Sequence, residues 1–152
     1  MAYDNMKITI VDLESYKQTV DECRRIAREH RDDILPYLSS RTNLFDWYNV
    51  IRSLQYVADP VGLETISRPA YTLLRYWNGP RDCDDKTVLI LSFCYLHEIP
   101  CRMIVCGQTP APHHIYPEVK LNVWMPADAT YPHRSVFGRR LYSEVFREVF
   151  DA

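Results

Sequence analysis

The sequence predicts an α+β domain, and three observations carry that expectation. Apolar residues recur at three- and four-residue spacing through most of the first hundred positions, the signature of amphipathic helices. Beyond residue 100 the period drops to two, as in half-buried strands. The chain has 152 residues, 47% hydrophobic and 25% charged, which suits one well-filled core and leaves little room for a second domain. Helices first, then a small antiparallel sheet, then a closing helix is an α+β order, with 1–152 as a single domain.

Each element has its own signal. Leu13, Tyr16, Val20, Cys23, Ile26 and Ala27 share one stripe with charges between them, predicting a helix over 12–31. Pro36 and the Ser39–Thr42 cluster end it. Thr42 or Asn43 can cap a second helix bearing Leu44, Trp47, Tyr48, Ile51 and Leu54. Asp59-Pro60-Val61-Gly62 reads as a turn, and Pro69 can open a short helix that fails before Gly79-Pro80. From Asp84 to about His97 a third long helix places Val88, Leu91 and Tyr95 on one stripe.

Strands then follow. Cys101–Gly107 alternates, with Cys101, Met103 and Val105 on one face and Arg102 on the other. His114–Leu121 alternates too, with Ile115, Val119 and Leu121 opposite His114, Tyr116, Glu118 and Lys120. Asn122 allows a tight turn into a strand around Val123–Asp128. In the tail, Leu141, Tyr142, Val145, Phe146, Val149 and Phe150 form a broad helical stripe, predicting a C-terminal helix over 139–150.

Composition excludes several function classes. Eighteen Lys+Arg against 20 Asp+Glu give a net charge of −2, which argues against a nucleic-acid partner. No apolar run approaches the roughly 18 residues of a membrane span. Met1 to Lys7 lacks the apolar stretch of a signal peptide, so a cytoplasmic or virion-associated protein is expected, with no membrane contact.

Five cysteines, an odd set, argue against a disulfide framework. The closest pair, Cys101 and Cys106, has four residues between them, and on a strand that odd offset sends the two side chains to opposite faces, which argues against structural zinc. No metal and no cofactor is therefore expected. Cys23, Cys94, Cys101 and Cys106 sit among apolar neighbours and read as core. Cys83, between Asp82 and Asp84-Asp85, does not.

Cys83 falls where the third long helix should begin. Helix N-termini and a neighbouring imidazolium depress thiol pKa values, and the N–H groups there can receive an oxyanion. A Cys83 alkylation midpoint below about 8.5 is the resulting expectation. Asp84 and Asp85 oppose the thiolate, so a positive partner is needed. His114, at the start of its strand, is the candidate, with Asp128 after the next turn to orient it. Nucleophile, base and orienter on successive elements is the logic of a catalytic triad.

Residues 82–130 resemble the transglutaminase-like branch of the papain-like cysteine enzymes. Four blocks carry the resemblance: Asp82-Cys83-Asp84-Asp85 with its apolar helix; Ile99-Pro100-Cys101-Arg102 entering a strand; His114-Ile115-Tyr116-Pro117-Glu118-Val119; and Trp124 followed by Asp128-Ala129-Thr130. The resemblance implies that Cys83 is the nucleophile, His114 the base and Asp128 its orienter, on a core of about 42–132. It also implies a sheet packed on the helix that starts at the cysteine. Ile51–Gly62 and Ser67-Arg68-Pro69 resemble, more loosely, versions encoded by tailed bacteriophages and prophages.

Three positions depart from the family pattern: Arg81 and Glu98, where glycine is usual, and Ala129, where proline is. In relatives a side chain upstream of the cysteine completes the oxyanion site, and Gln55, Tyr56, Tyr76 and Trp77 are the candidates here. His113 rivals His114 but falls on the other strand face. Glu118 shares the face of His114, near the site or solvated.

The implied activity is thiol-dependent acyl transfer on the amide bonds of a protein or peptide substrate. Among small microbial relatives hydrolysis is the commoner outcome, which favours a peptidase or amidase over a crosslinking transglutaminase. The alternative is a non-catalytic assembly component, for instance of a phage particle, docking other virion proteins or copies of itself through the C-terminal helix.

Overall fold

The computed structural model describes residues 7–11 and 15–152, so the predicted helix start at 12 and the reading of Met1 to Met6 lie outside the described residues. Its first element is a short strand, β1 (Ile8–Val11), followed by helix α1 (Tyr16–Glu29). One face of α1 is apolar, and it buries Thr19, Val20, Cys23, Ile26 and Ala27. A 3-10 stretch, Arg31–Tyr37, continues from it and holds Pro36 near its end.

Helix α2 (Leu44–Ser53) starts at Asn43, whose Oδ1 accepts from the Asp46 N–H at 2.8 Å while Asp46 Oδ2 accepts from the Asn43 N–H at 3.3 Å. That reciprocal box satisfies two of the donors a helix start leaves unpaired. Trp47 anchors α2 in the core: it is wholly buried, and its indole Nε1–H donates to the Leu89 carbonyl at 2.9 Å.

The chain turns at residues 59–62, where Gly62 takes φ +82°, and returns as β2 (Glu64–Ser67), antiparallel to β1. Neither strand was expected. Four residues give too few alternations to stand out, and their pairing joins segments more than fifty positions apart. Helix α3 (Pro69–Thr72) is the short helix expected from Pro69.

Helix α4 (Cys83–Leu96) is buried all round, not along the single stripe of Val88, Leu91 and Tyr95 that periodicity suggested. Residues Asp84 through Cys94 are all buried because α1, α2 and the sheet enclose the helix. A helix surrounded in this way needs no polar face. It ends at Glu98, whose φ of 54° lets the Ile99 N–H close back on the Cys94 carbonyl at 2.9 Å.

The main sheet is wholly antiparallel, in the order β5-β4-β3-β6. Its strands are β3 (Cys101–Gly107), β4 (His114–Lys120), β5 (Trp124–Pro126) and β6 (Phe146–Asp151). Met103, Val105, Ile115 and Val119 join the core that holds α4, while Ile104, Cys106 and Tyr116 form a second cluster beneath Tyr142. Gly107 sets the β3–β4 loop that leads to His114. A Cβ there would lie 2.0 Å from the Ala111 carbonyl oxygen, so only glycine fits.

The C-terminal helix expected over 139–150 is not formed; the segment ends in β6. Phe146, Glu148 and Phe150 pair with Gly107, Val105 and Met103, and both phenyl rings pack edge-on against Tyr16. Arg147 turns to the other face, over Glu118. The open edge of β3 is the physical reason. Its unpaired N–H and C=O groups are satisfied by a strand, and the β-branched and aromatic residues of the tail accept that conformation. The helical stripe is thereby divided between two faces, which removes the docking helix proposed from periodicity. Among the described residues no helix is long and apolar enough to cross a membrane.

Candidate active site

The first turn of α4 is held from four directions. Asp82 precedes it, with its backbone N–H donating to Asp85 Oδ2 at 3.0 Å. Asp85 Oδ1 accepts from the Ser67 N–H at 2.6 Å, tying the helix start to β2. Arg81 is buried, and its guanidinium donates to the carbonyls of Thr72 and Leu74, while its backbone pairs with Val57. Here the departure from glycine supplies a brace for residues 72–74. Lys86, also buried, donates to the carbonyls of Leu54 and Thr130 at 2.6 and 2.9 Å, fastening α4 to the segment that carries Asp128.

His114 opens β4, and its ring Nε2 lies 2.6 Å from Asp128 Oδ2, with both side chains buried. Asp128 is held in turn. Its Oδ1 accepts from the Thr130 N–H at 3.0 Å and the Thr130 hydroxyl at 2.6 Å, and its own carbonyl accepts from the Tyr48 hydroxyl at 2.7 Å. An Nε2–H donated to Asp128 leaves Nδ1 as the basic nitrogen of the imidazole.

Cys83 and His114 line the same cleft, of about 140 Å3, with Tyr16, Thr19, Glu64, Val105, Pro112, His113 and Ile115. Cys83 is half-buried, whereas the other four cysteines are buried. The nearby Ile115 backbone N–H, one residue from His114, favours the Cys83 thiolate. The balance nevertheless runs the other way. Burial first, then the charges of Asp82, Asp128 and Glu64, hold the thiol well above its ordinary value. This runs against the expectation of a depressed thiol: burial, and then the surrounding carboxylates, oppose the helix N-terminus. Cys83 therefore rests as a neutral thiol, and a base must take its proton during attack.

The four oxyanion candidates part company. Tyr56 is the one whose ring environment includes Cys83; it lies against Tyr131 at 5.0 Å, and both phenols are raised, chiefly by burial and partly by Cys83. Gln55 is exposed, and Tyr76 is 85% exposed. The Trp77 indole N–H already donates to the Pro80 carbonyl at 3.2 Å. The Cys83 N–H, at the first position of α4, belongs to the donors a helix leaves without an internal partner.

His113 also borders the cleft but is exposed, beside the Tyr142 hydroxyl at 3.4 Å, and does not reach Asp128. Glu118 is neither at the site nor solvated. It is buried, receiving Arg102 at 2.7 Å and Arg147 at 3.3 Å. The face of β4 that read as polar is thus covered, by residues of the tail. Sequence reasoning missed Tyr16, Thr19 and Glu64 in the cleft; they lie on α1 and β2, which only the folded chain brings to Cys83.

In class, then, this is an α+β chain with a buried imidazole–carboxylate pair beside a helix-terminal cysteine. Comparison with protein-family models, curated proteins and solved structures found no match for it.

Proposed function

We propose that the chain is a cysteine enzyme with a transglutaminase-like, papain-like fold that transfers acyl groups from amide bonds through Cys83, His114 and Asp128. The observation that carries this reading is the 2.6 Å pair of His114 Nε2 and Asp128 Oδ2, buried and doubly anchored by Thr130, at a cleft shared with Cys83. A histidine oriented so firmly, next to a half-buried thiol, is arranged for proton transfer more than for packing.

In the reaction, His114 Nδ1 takes the Cys83 proton as the sulfur attacks the amide carbon. The tetrahedral oxyanion is received by N–H groups at the start of α4, that of Cys83 among them. Its collapse breaks the C–N bond, and the imidazolium returns the proton to the departing amine, leaving a thioester. Water, deprotonated by the same imidazole, attacks the thioester and expels the Cys83 thiol, which completes hydrolysis. An amine in place of water would give crosslinking. Hydrolysis is the primary proposal because the cleft is small and needs only one peptide chain and water.

The alternative, a non-catalytic assembly component, loses the helix on which its docking surface was based, since that segment forms no helix and ends in β6. Peptide-library cleavage read by mass spectrometry, beside incorporation of a fluorescent amine into casein, tests the proposal. Cleavage that disappears in Cys83→Ala and falls at least about a hundredfold in His114→Ala is expected. Amine incorporation without cleavage would reverse the choice of acceptor, and neither activity in the wild type would refute the enzyme reading.

A further inference from the structure

Three carboxylates gather on the side of the α4 start that includes the 59–62 turn. Asp59 comes from that turn, while Asp82 and Asp84 flank Cys83, and one oxygen from each lies within 4.8 Å of the other two. Asp84 is 1% exposed, and neither of its carboxylate oxygens has a hydrogen-bond partner; Asp82 Oδ1 is buried and unpartnered as well. Among the described residues no ion pair reaches any of the three. The nearby cations are committed elsewhere, Arg81 to the carbonyls of Thr72 and Leu74 and Lys86 to those of Leu54 and Thr130. Asp59 is oriented by the N–H and hydroxyl of Thr65, bonds that leave each oxygen a second lone pair.

Buried carboxylates are ordinarily paired, bonded or coordinated to a metal. We propose that Asp59, Asp82 and Asp84 form a binding site for a hard divalent cation, calcium in preference to magnesium. An all-oxygen donor set selects such ions over zinc or copper. Calcium's flexible coordination by about six to eight oxygens suits carboxylates gathered from a turn and a helix start better than magnesium's strict octahedron, with water filling the other positions. This site departs from the metal-free expectation, which considered only cysteine ligands. Asp59 lies too far from the other two in sequence to have been grouped with them.

Calorimetric titration of the full chain, stripped with chelator and then given calcium or magnesium chloride alone, tests the inference. One calcium per chain, with a midpoint below about 1 mM and a raised thermal midpoint, is expected, and magnesium should bind at least tenfold more weakly. Asp84→Asn and, separately, Asp59→Asn should each weaken calcium binding at least tenfold; the second lies on a less buried turn, so folding of the first is not essential. Cys83→Ala should bind as the wild type does, which keeps this result independent of the catalytic proposal. No saturable binding of either ion at about 10 mM, or binding unchanged in both variants, would overturn the site. Tighter binding of magnesium would overturn the assignment of calcium.

Discussion

Cys83 illustrates how local charge decides the state of a nucleophile. A helix N-terminus favours a thiolate, yet burial and the neighbouring Asp82 act on the same sulfur at closer range and hold the proton on it. The thiolate population should thus grow only at high pH. Alkylation of Cys83, followed by mass spectrometry in chelator-containing buffer, is expected to outpace that of the other four cysteines, all buried, with a midpoint above about 8.5. Equal labelling of all five would contradict the accessibility of the site, and a midpoint below that value would reveal a preformed thiolate–imidazolium pair. Cys83 and His114 could be picked out in the sequence because each opens an element, and Asp128 because it follows the next turn in the motif Asp128-Ala129-Thr130. Thr130 was visible only as part of a motif; its two bonds to Asp128 depend on the backbone path after β5.

The elements differ in how fully their own residues specify them. Helix α2 carries its start signal in Asn43 and Asp46 and was legible at that level. The end of α4 is legible in another way. Glu98 occupies a left-handed conformation, φ 54°, which costs a residue with a Cβ roughly 1–2 kcal/mol. Glycine accepts that backbone but loses more chain entropy on folding. Glu98→Gly is therefore expected to stabilise the protein by about 0.5–1 kcal/mol, read as a shift of the urea midpoint at unchanged slope. A loss of stability would mean that the Glu98 side chain makes a compensating contact. Strand β6 lies at the opposite extreme. Its residues satisfy a helical stripe and a strand alternation equally, and the choice was made by the edge of β3, a feature of another part of the chain.

At the scale of the molecule, burying charge around α4 links stability to pH. Burial holds Asp59 up at about 7, and Asp84 and Asp85 are shifted the same way, chiefly by burial and then by the charge of Asp85 on Asp84 and of Asp82 on Asp85. Unfolded, such groups titrate near 4. Between those values the folded chain binds more protons than the unfolded one, so stability conferred by these groups is present below about pH 4 and is lost as pH rises toward 7. In chelator-containing buffer the thermal midpoint should fall from pH 4.5 to 7.5, and Asp59→Asn should flatten the decline. A midpoint that climbs through this window would show the cluster to be ionised and compensated in the folded state.

By itself the sequence determined what short-range physics can settle: an α+β order, the places of α2, α4, β3 and β4 along the chain, and the separation of Cys83 from four apolar cysteines. These follow from periodicity, capping chemistry and nearest neighbours, which act within a few residues. Only the tertiary structure decided that the tail is a strand, that α4 is buried on every side, and that α1 and β2 complete the cleft. It also decided that Asp59 meets Asp82 and Asp84. Those outcomes depend on sheet edges that must be paired and on charges brought together from distant positions, which no local pattern records.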